Sequence, residues 1–122
     1  MRVSALLFVS AVAMYSSPAT AESPFGTWAR GDGKARVKIA KCGANLCATN
    51  VWIKNSGSEK VGDVLVMKVK RMGERLWKGS AYDPQRKLSM SMQMNVRAST
   101  MSTSGCLLGG LVCRSTSWSR LK

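Results

Sequence analysis

Lys34-Ala35-Arg36-Val37-Lys38-Ile39-Ala40-Lys41 sets Ala35, Val37 and Ile39 at every second position, with Lys34, Arg36 and Lys38 in the places between. Successive side chains of a strand point to opposite faces, so this octapeptide reads as a β-strand with one face buried and one in water. The period recurs in Val64 to Arg71, with Leu65, Met67 and Val69 inward and Lys68 and Lys70 outward. It recurs again in Lys87 to Asn95, where Leu88, Met90, Met92 and Met94 alternate with Ser89, Ser91 and Gln93. Weaker strands are expected at Phe25 to Arg30, Cys47 to Lys54, Arg75 to Tyr82, Val96 to Thr103 and Leu111 to Leu121. Gly31-Asp32-Gly33, Asn55-Ser56-Gly57-Ser58, Met72-Gly73 and Asp83-Pro84 supply the turn residues between them. No segment carries a sustained 3.6-residue stripe, so the class is all-β, an up-and-down meander of eight antiparallel strands. Closing into a small barrel buries one face and removes the exposed edges; a two-sheet sandwich is the alternative. Eight strands enclose an interior just wide enough to be filled by its own side chains or to hold one small ligand.

The chain has 122 residues, 19 lysines and arginines against 6 acidic residues, a net charge of +13, and no histidine. That length suits one domain, and without imidazole the commonest general base and metal ligand is missing. Arg2, the apolar run from Val3 to Tyr15 and the small-residue motif Ala19-Thr20-Ala21 form a secretory signal peptide, residues 1–21. The run is too short to span a bilayer, and no transmembrane segment is expected after cleavage. The barrel domain is then 22–122, periplasmic or extracellular, and loss of Arg2 lowers the charge by one to +12.

Export governs the reading of Cys42, Cys47, Cys106 and Cys113, because cysteines of small secreted domains normally pair. Of the three connectivities, chain entropy favours bridges across the long interval. Turn geometry favours local ones: Cys42 and Cys47 flank Gly43-Ala44-Asn45-Leu46, and Cys106 and Cys113 flank a loop with Gly109 and Gly110. The local pairs are expected. A zinc site is excluded by loose spacing and the missing histidine.

Trp52 follows Cys47 at the interval at which Trp118 follows Cys113. With Gly26-Thr27-Trp28, Trp77-Lys78-Gly79-Ser80-Ala81-Tyr82-Asp83-Pro84 and Cys113-Arg114-Ser115 leading to Trp118-Ser119-Arg120, the chain resembles the bacterial family of domain of unknown function 2147. The resemblance implies small exported proteins with a lipocalin-like barrel and no established activity. Glycine is common in that family where this chain has Ala48 and Arg86. The G-x-W pattern also resembles the opening strand of lipocalins, whose tryptophan packs at the barrel base under an arginine of the closing strand. Trp28 and Arg120 are the matching residues, a structural clasp in which an indole face accepts a guanidinium.

No catalytic constellation is visible. Glu22, Asp32, Glu59, Asp63, Glu74 and Asp83 fall in loops or termini and read as turn and solvation chemistry, and Cys106 and Cys113 lack the C-x-x-C spacing of a redox pair. The protein is read as non-enzymatic, without cofactor or metal. Met67, Met90, Met92 and Met94 form a soft candidate lining for an apolar or amphipathic guest, although ordinary core filling is the stronger reading of the same residues. Lys34, Arg36, Lys38, Lys68 and Lys70 form a candidate anion-binding face for an envelope surface such as phospholipid headgroups, lipopolysaccharide phosphates or acidic glycans. Nucleic acid is not an expected partner, since export separates the two. The competing reading is a structural or protein-interaction module with a solid interior.

Overall fold

The computed structural model describes residues 23–55 and 57–122; the expected signal peptide lies outside them. The strands are β1 (Gly26–Arg30), β2 (Ala35–Cys42), β3 (Asn45–Ile53), β4 (Val64–Arg71), β5 (Leu76–Asp83), β6 (Leu88–Val96), β7 (Thr100–Leu107) and β8 (Val112–Arg120). Each pairs antiparallel with its neighbours, and β8 returns to β1 through Trp28↔Arg120, Ala29↔Ser119 and Arg30↔Trp118, which closes the barrel. The alternation of β2 holds residue by residue, with Ala35, Val37 and Ile39 buried and Arg36 and Lys38 exposed. The sandwich alternative is thereby set aside.

The strand ends fall within one residue of the sequence reading except in the third and seventh strands. Val96 does not open the seventh strand; it ends β6, where it continues the inward series of Met90, Met92 and Met94, fully buried opposite Met101. The turn is Arg97-Ala98-Ser99, which has no glycine or proline to mark it. The third strand starts at Asn45 instead of Cys47, because Gly43, at φ 65, makes the hairpin with Ala44 alone. Cys42 pairs with Asn45 and Cys47 with Ala40, so the first disulfide joins diagonal neighbours 5.7 Å apart at Cα. Cys106 and Cys113 stand directly opposite, Cα atoms 4.1 Å apart, and form the second.

The meander gives the barrel two unlike ends. At the base lie the chain's Ser23 to Trp28, the Cys42–Cys47 hairpin, the β4–β5 and β6–β7 turns and Arg120. Trp28 is fully buried there, its Nε1 donates to the Pro24 carbonyl at 2.8 Å, and the Arg120 guanidinium sits 4.2 Å over its ring. Arg120 also donates to the carbonyls of Ala98, Phe25 and Ser23 at 2.8, 2.7 and 2.7 Å. Gly26, at φ 123, leaves room for it: a Cβ at Gly26 would come within 3.1 Å of Arg120 Nη1. Leu46 and Val96, at the same end of β3 and β6, belong with Trp28 to the buried core and plug this end. The opposite end, ringed by the β1–β2, β3–β4, β5–β6 and β7–β8 connections, is open.

Candidate functional site

Above the plug the interior is hollow. A cavity of about 520 Å³ runs from a floor of Met67, Met94, Met101 and Trp118, between walls that include Val37, Ile39, Leu65, Met90 and Met92, to the open end. Period 2 brings these side chains inward from β2, β4, β6, β7 and β8. All four methionines of the proposed lining face it, and Met101 joins them. The volume falls within the usual range for small-molecule sites, about 300–1,000 Å³. On β7 and β8 the wall is thin and polar: Thr103, Gly105 and Thr116 replace bulk, and the Trp118 Nε1 donates to Thr103 Oγ1 at 3.0 Å. A Cβ at Gly105 would press on Met90 Sδ at 3.1 Å, so glycine there preserves the methionine packing.

Charged side chains ring the opening, and most are matched. Arg30 grips Glu59 with Nη1 and Nη2 at 2.7 and 3.1 Å and Asp32 with Nε at 3.0 Å. The Glu59 hydrogen bonds, chiefly, hold the Arg30 guanidinium well above its ordinary pKa and the Glu59 carboxyl below its own. Arg86 donates to Asp83 at 2.9 Å, to Asp63 at 3.5 Å and to the Ser58 carbonyl. Burial pushes Asp83 up, but hydrogen bonds from Arg86 and Gln85 outweigh it and hold the carboxyl low. Gln85 ties the next strand by accepting from Val64 N and donating to Val64 O at 2.7 and 2.8 Å. Arg114 differs: it lines the cavity from β8, level with Gly105, and its guanidinium makes no hydrogen bond or ion pair with any described residue.

A family model described as an uncharacterized protein conserved in bacteria (DUF2147) matches residues 26–120. The chain belongs to this family. No curated protein and no solved structure matches it. The DUF2147 span runs from the first residue of β1 to the last of β8, so the family is coextensive with the barrel. Ala48 and Arg86 both border the cavity of this DUF2147 protein.

The remaining predicted residues lie on the outside. Lys34 directly precedes β2, Arg36 and Lys38 belong to its mouth half, and Arg36 stacks on Trp52 at 5.0 Å. Lys68 and Lys70 lie towards the base on β4, with Lys70 directly opposite Lys78 of β5. Thr49, Cys47 and Val66 separate the two groups, which form two patches and no single stripe. The sequence reading missed Arg114, Thr116 and Trp118 as cavity residues. Parity was the available signal, because placing Arg120 inward at the base places residues 118, 116 and 114 inward too.

Proposed function

We propose that this DUF2147 barrel is an exported, non-enzymatic carrier of an amphipathic anion, with the apolar tail among Met67, Met90, Met92 and Met94 and the carboxylate or phosphate head on Arg114. The observation that carries the reading is the juxtaposition of an apolar cavity with one unmatched guanidinium at its opening. A tail gains about 0.8 kcal/mol per buried methylene, and an anionic head stays near water beside a cation because burying it unpaired is far costlier. Arg30 and Arg86 are poor receptors, since a ligand would first have to displace their carboxylates. Two disulfides suit an oxidising compartment, which together with the N-terminal pattern supports export.

The test is titration of the mature protein with palmitate and with lysophosphatidic acid, followed by tryptophan fluorescence, because Trp118 lines the cavity. Saturable one-to-one binding that persists in high salt is expected. Arg114→Gln removes a hydrogen bond to a charged group, worth about 1.5–3 kcal/mol, and so weakens affinity about 10- to 150-fold. Absence of saturable binding by both lipids overturns the reading in favour of a structural barrel.

A further inference from the structure

The β7–β8 connection is built against its own stability. Leu108, Leu111 and Val112 are 72%, 84% and 52% exposed, so three large apolar side chains stand in water within five residues. Leu108 also adopts φ 53, the left-handed region that suits glycine or asparagine and penalises leucine. A connection needing only to reverse the chain would carry a polar residue there, and Gly109 and Gly110 beside it show that flexible residues were at hand. Directly beneath, the Cys106–Cys113 bridge ties the two strands together, so the apolar tip is presented on a stiff stem. Leu88 lies on the neighbouring strand, itself 38% exposed and preceded by Lys87 at φ 55. Leu107 and Val112 belong at once to this rim and to the cavity wall, so apolar surface is continuous from the tip into the interior.

We infer that this lip docks on an anionic lipid bilayer, with Leu108, Leu111 and Val112 entering the acyl boundary while Lys87 faces headgroup phosphates. Exposed leucines beside an outward cation match an interface that is apolar below and negative above. Glycans and soluble polyanions offer nothing to the leucines, and a net charge of +13 opposes pairing with a second copy. Docking needs no ligand in the cavity and stands apart from the carrier reading. The rival surface is at the base, where Lys70 faces Lys78 with Arg75 and Arg97 nearby, and where Met72 alone is strongly exposed. A protein that docked by its base would turn its mouth away from the membrane.

Co-sedimentation of the mature protein with vesicles of phosphatidylglycerol and phosphatidylcholine, compared with phosphatidylcholine alone, decides between the ends. The double variant Leu108→Asn/Leu111→Ser relieves the leucine's backbone strain and leaves the fold intact. It is expected to keep or raise the thermal midpoint and to partition at least about tenfold more weakly. Lys70→Gln/Lys78→Gln is expected to stay within about twofold of the parent, since it alters only two cations remote from the lip. The inference is overturned if the parent ignores anionic vesicles, if the lip variant binds as the parent does, or if the base variant is the one that fails. A concentration-dependent dimer abolished by the lip substitutions would assign the lip to a second copy and overturn it as well. Palmitate titration of the lip variant keeps the two readings separable, because neither Leu108 nor Leu111 lines the cavity and interior binding is expected to be the same there as in the parent.

Discussion

Replacing Trp28 by alanine should bring the barrel close to unfolding. Trp28 is fully buried at the point where β1 meets β8, so its removal opens a void in the plug that closes the base. Buried tryptophan to alanine costs about 3–5 kcal/mol, and the value depends on how far the neighbours collapse into the space. Here collapse is resisted. Arg120, 4.2 Å over the ring, is held by three backbone carbonyls on two segments, the stretch before β1 and the β6–β7 turn, and moving it inward would abandon all of them. The Pro24 carbonyl loses its indole donor too. The cost therefore belongs at the upper end, about 5 kcal/mol, in a domain whose whole stability is expected at about 5–15 kcal/mol. At about 4–8 °C per kcal/mol for a domain of this size, the thermal midpoint falls by about 20–40 °C. Trp28→Phe keeps a ring face for Arg120 and should lose much less. Urea unfolding followed by far-ultraviolet circular dichroism, with disulfides intact, avoids the confounding loss of a fluorophore. A shift of the alanine variant worth less than about 1 kcal/mol would show that the clasp does not hold the barrel closed.

Gly79→Ala should destabilise severely, because a Cβ there overlaps the Lys68 carbonyl oxygen and comes within 2.9 Å of Val69 Cα, backbone that cannot step aside. Gly57→Ala, which meets nothing within 4 Å, is the matched control, and equal urea midpoints for the two would refute the packing of β4 on β5. Acid should weaken the mouth first: Asp32, Glu59 and Asp83 have folded pKa values below their ordinary ones. Their contribution is then complete at neutral pH and is lost as pH falls through the ordinary carboxylate range, near 4, towards the depressed folded values. Since the pairs are partly exposed, Glu59→Gln should remove about 1 kcal/mol or less at pH 7 and flatten the acid slope of the urea midpoint; an unchanged slope contradicts the pairing.

The strands of β2, β4 and β6 were legible because their two faces differ in chemistry at every step. Burial there follows hydrophobicity, which is what a period-2 reading detects. β7 and β8 obey the same geometry with the opposite content. Their inward faces carry Thr103, Gly105, Arg114 and Thr116 because they border a cavity and its mouth, where small and polar side chains do what bulk does elsewhere. Hydrophobic pattern is blind to an inward face that packs against a space. The local disulfides were legible from turn residues, although the diagonal register of Cys42 and Cys47 depended on a two-residue turn that the sequence alone did not single out from a longer one.

The distribution of carboxylates bears on how the opening recognises anything. Of the five acidic residues described, only Glu74 is at the base; Asp32, Glu59, Asp63 and Asp83 are at the mouth. They make the turn contacts expected of them, such as Lys34 N to Asp32 at 2.8 Å and Lys60 N to Asp63 at 3.1 Å. Turn chemistry alone would not gather them at one end, since both ends have turns. At the mouth they also bind arginine: Arg30, Arg86 and Arg114 border the cavity alongside Glu59, Asp63 and Asp83, a formal balance within a strongly basic molecule. Because Arg86 takes both aspartates, that balance is uneven in space and Arg114 is left over. A neutralised rim gives little long-range pull on anions, so the proposed carrier would select by contact with Arg114 and by the length of tail the cavity accepts. The unneutralised outer lysines act over about 8–10 Å and are screened by salt. Salt should therefore weaken attraction to an anionic surface while leaving interior binding nearly unchanged, so one salt series separates the two proposed activities.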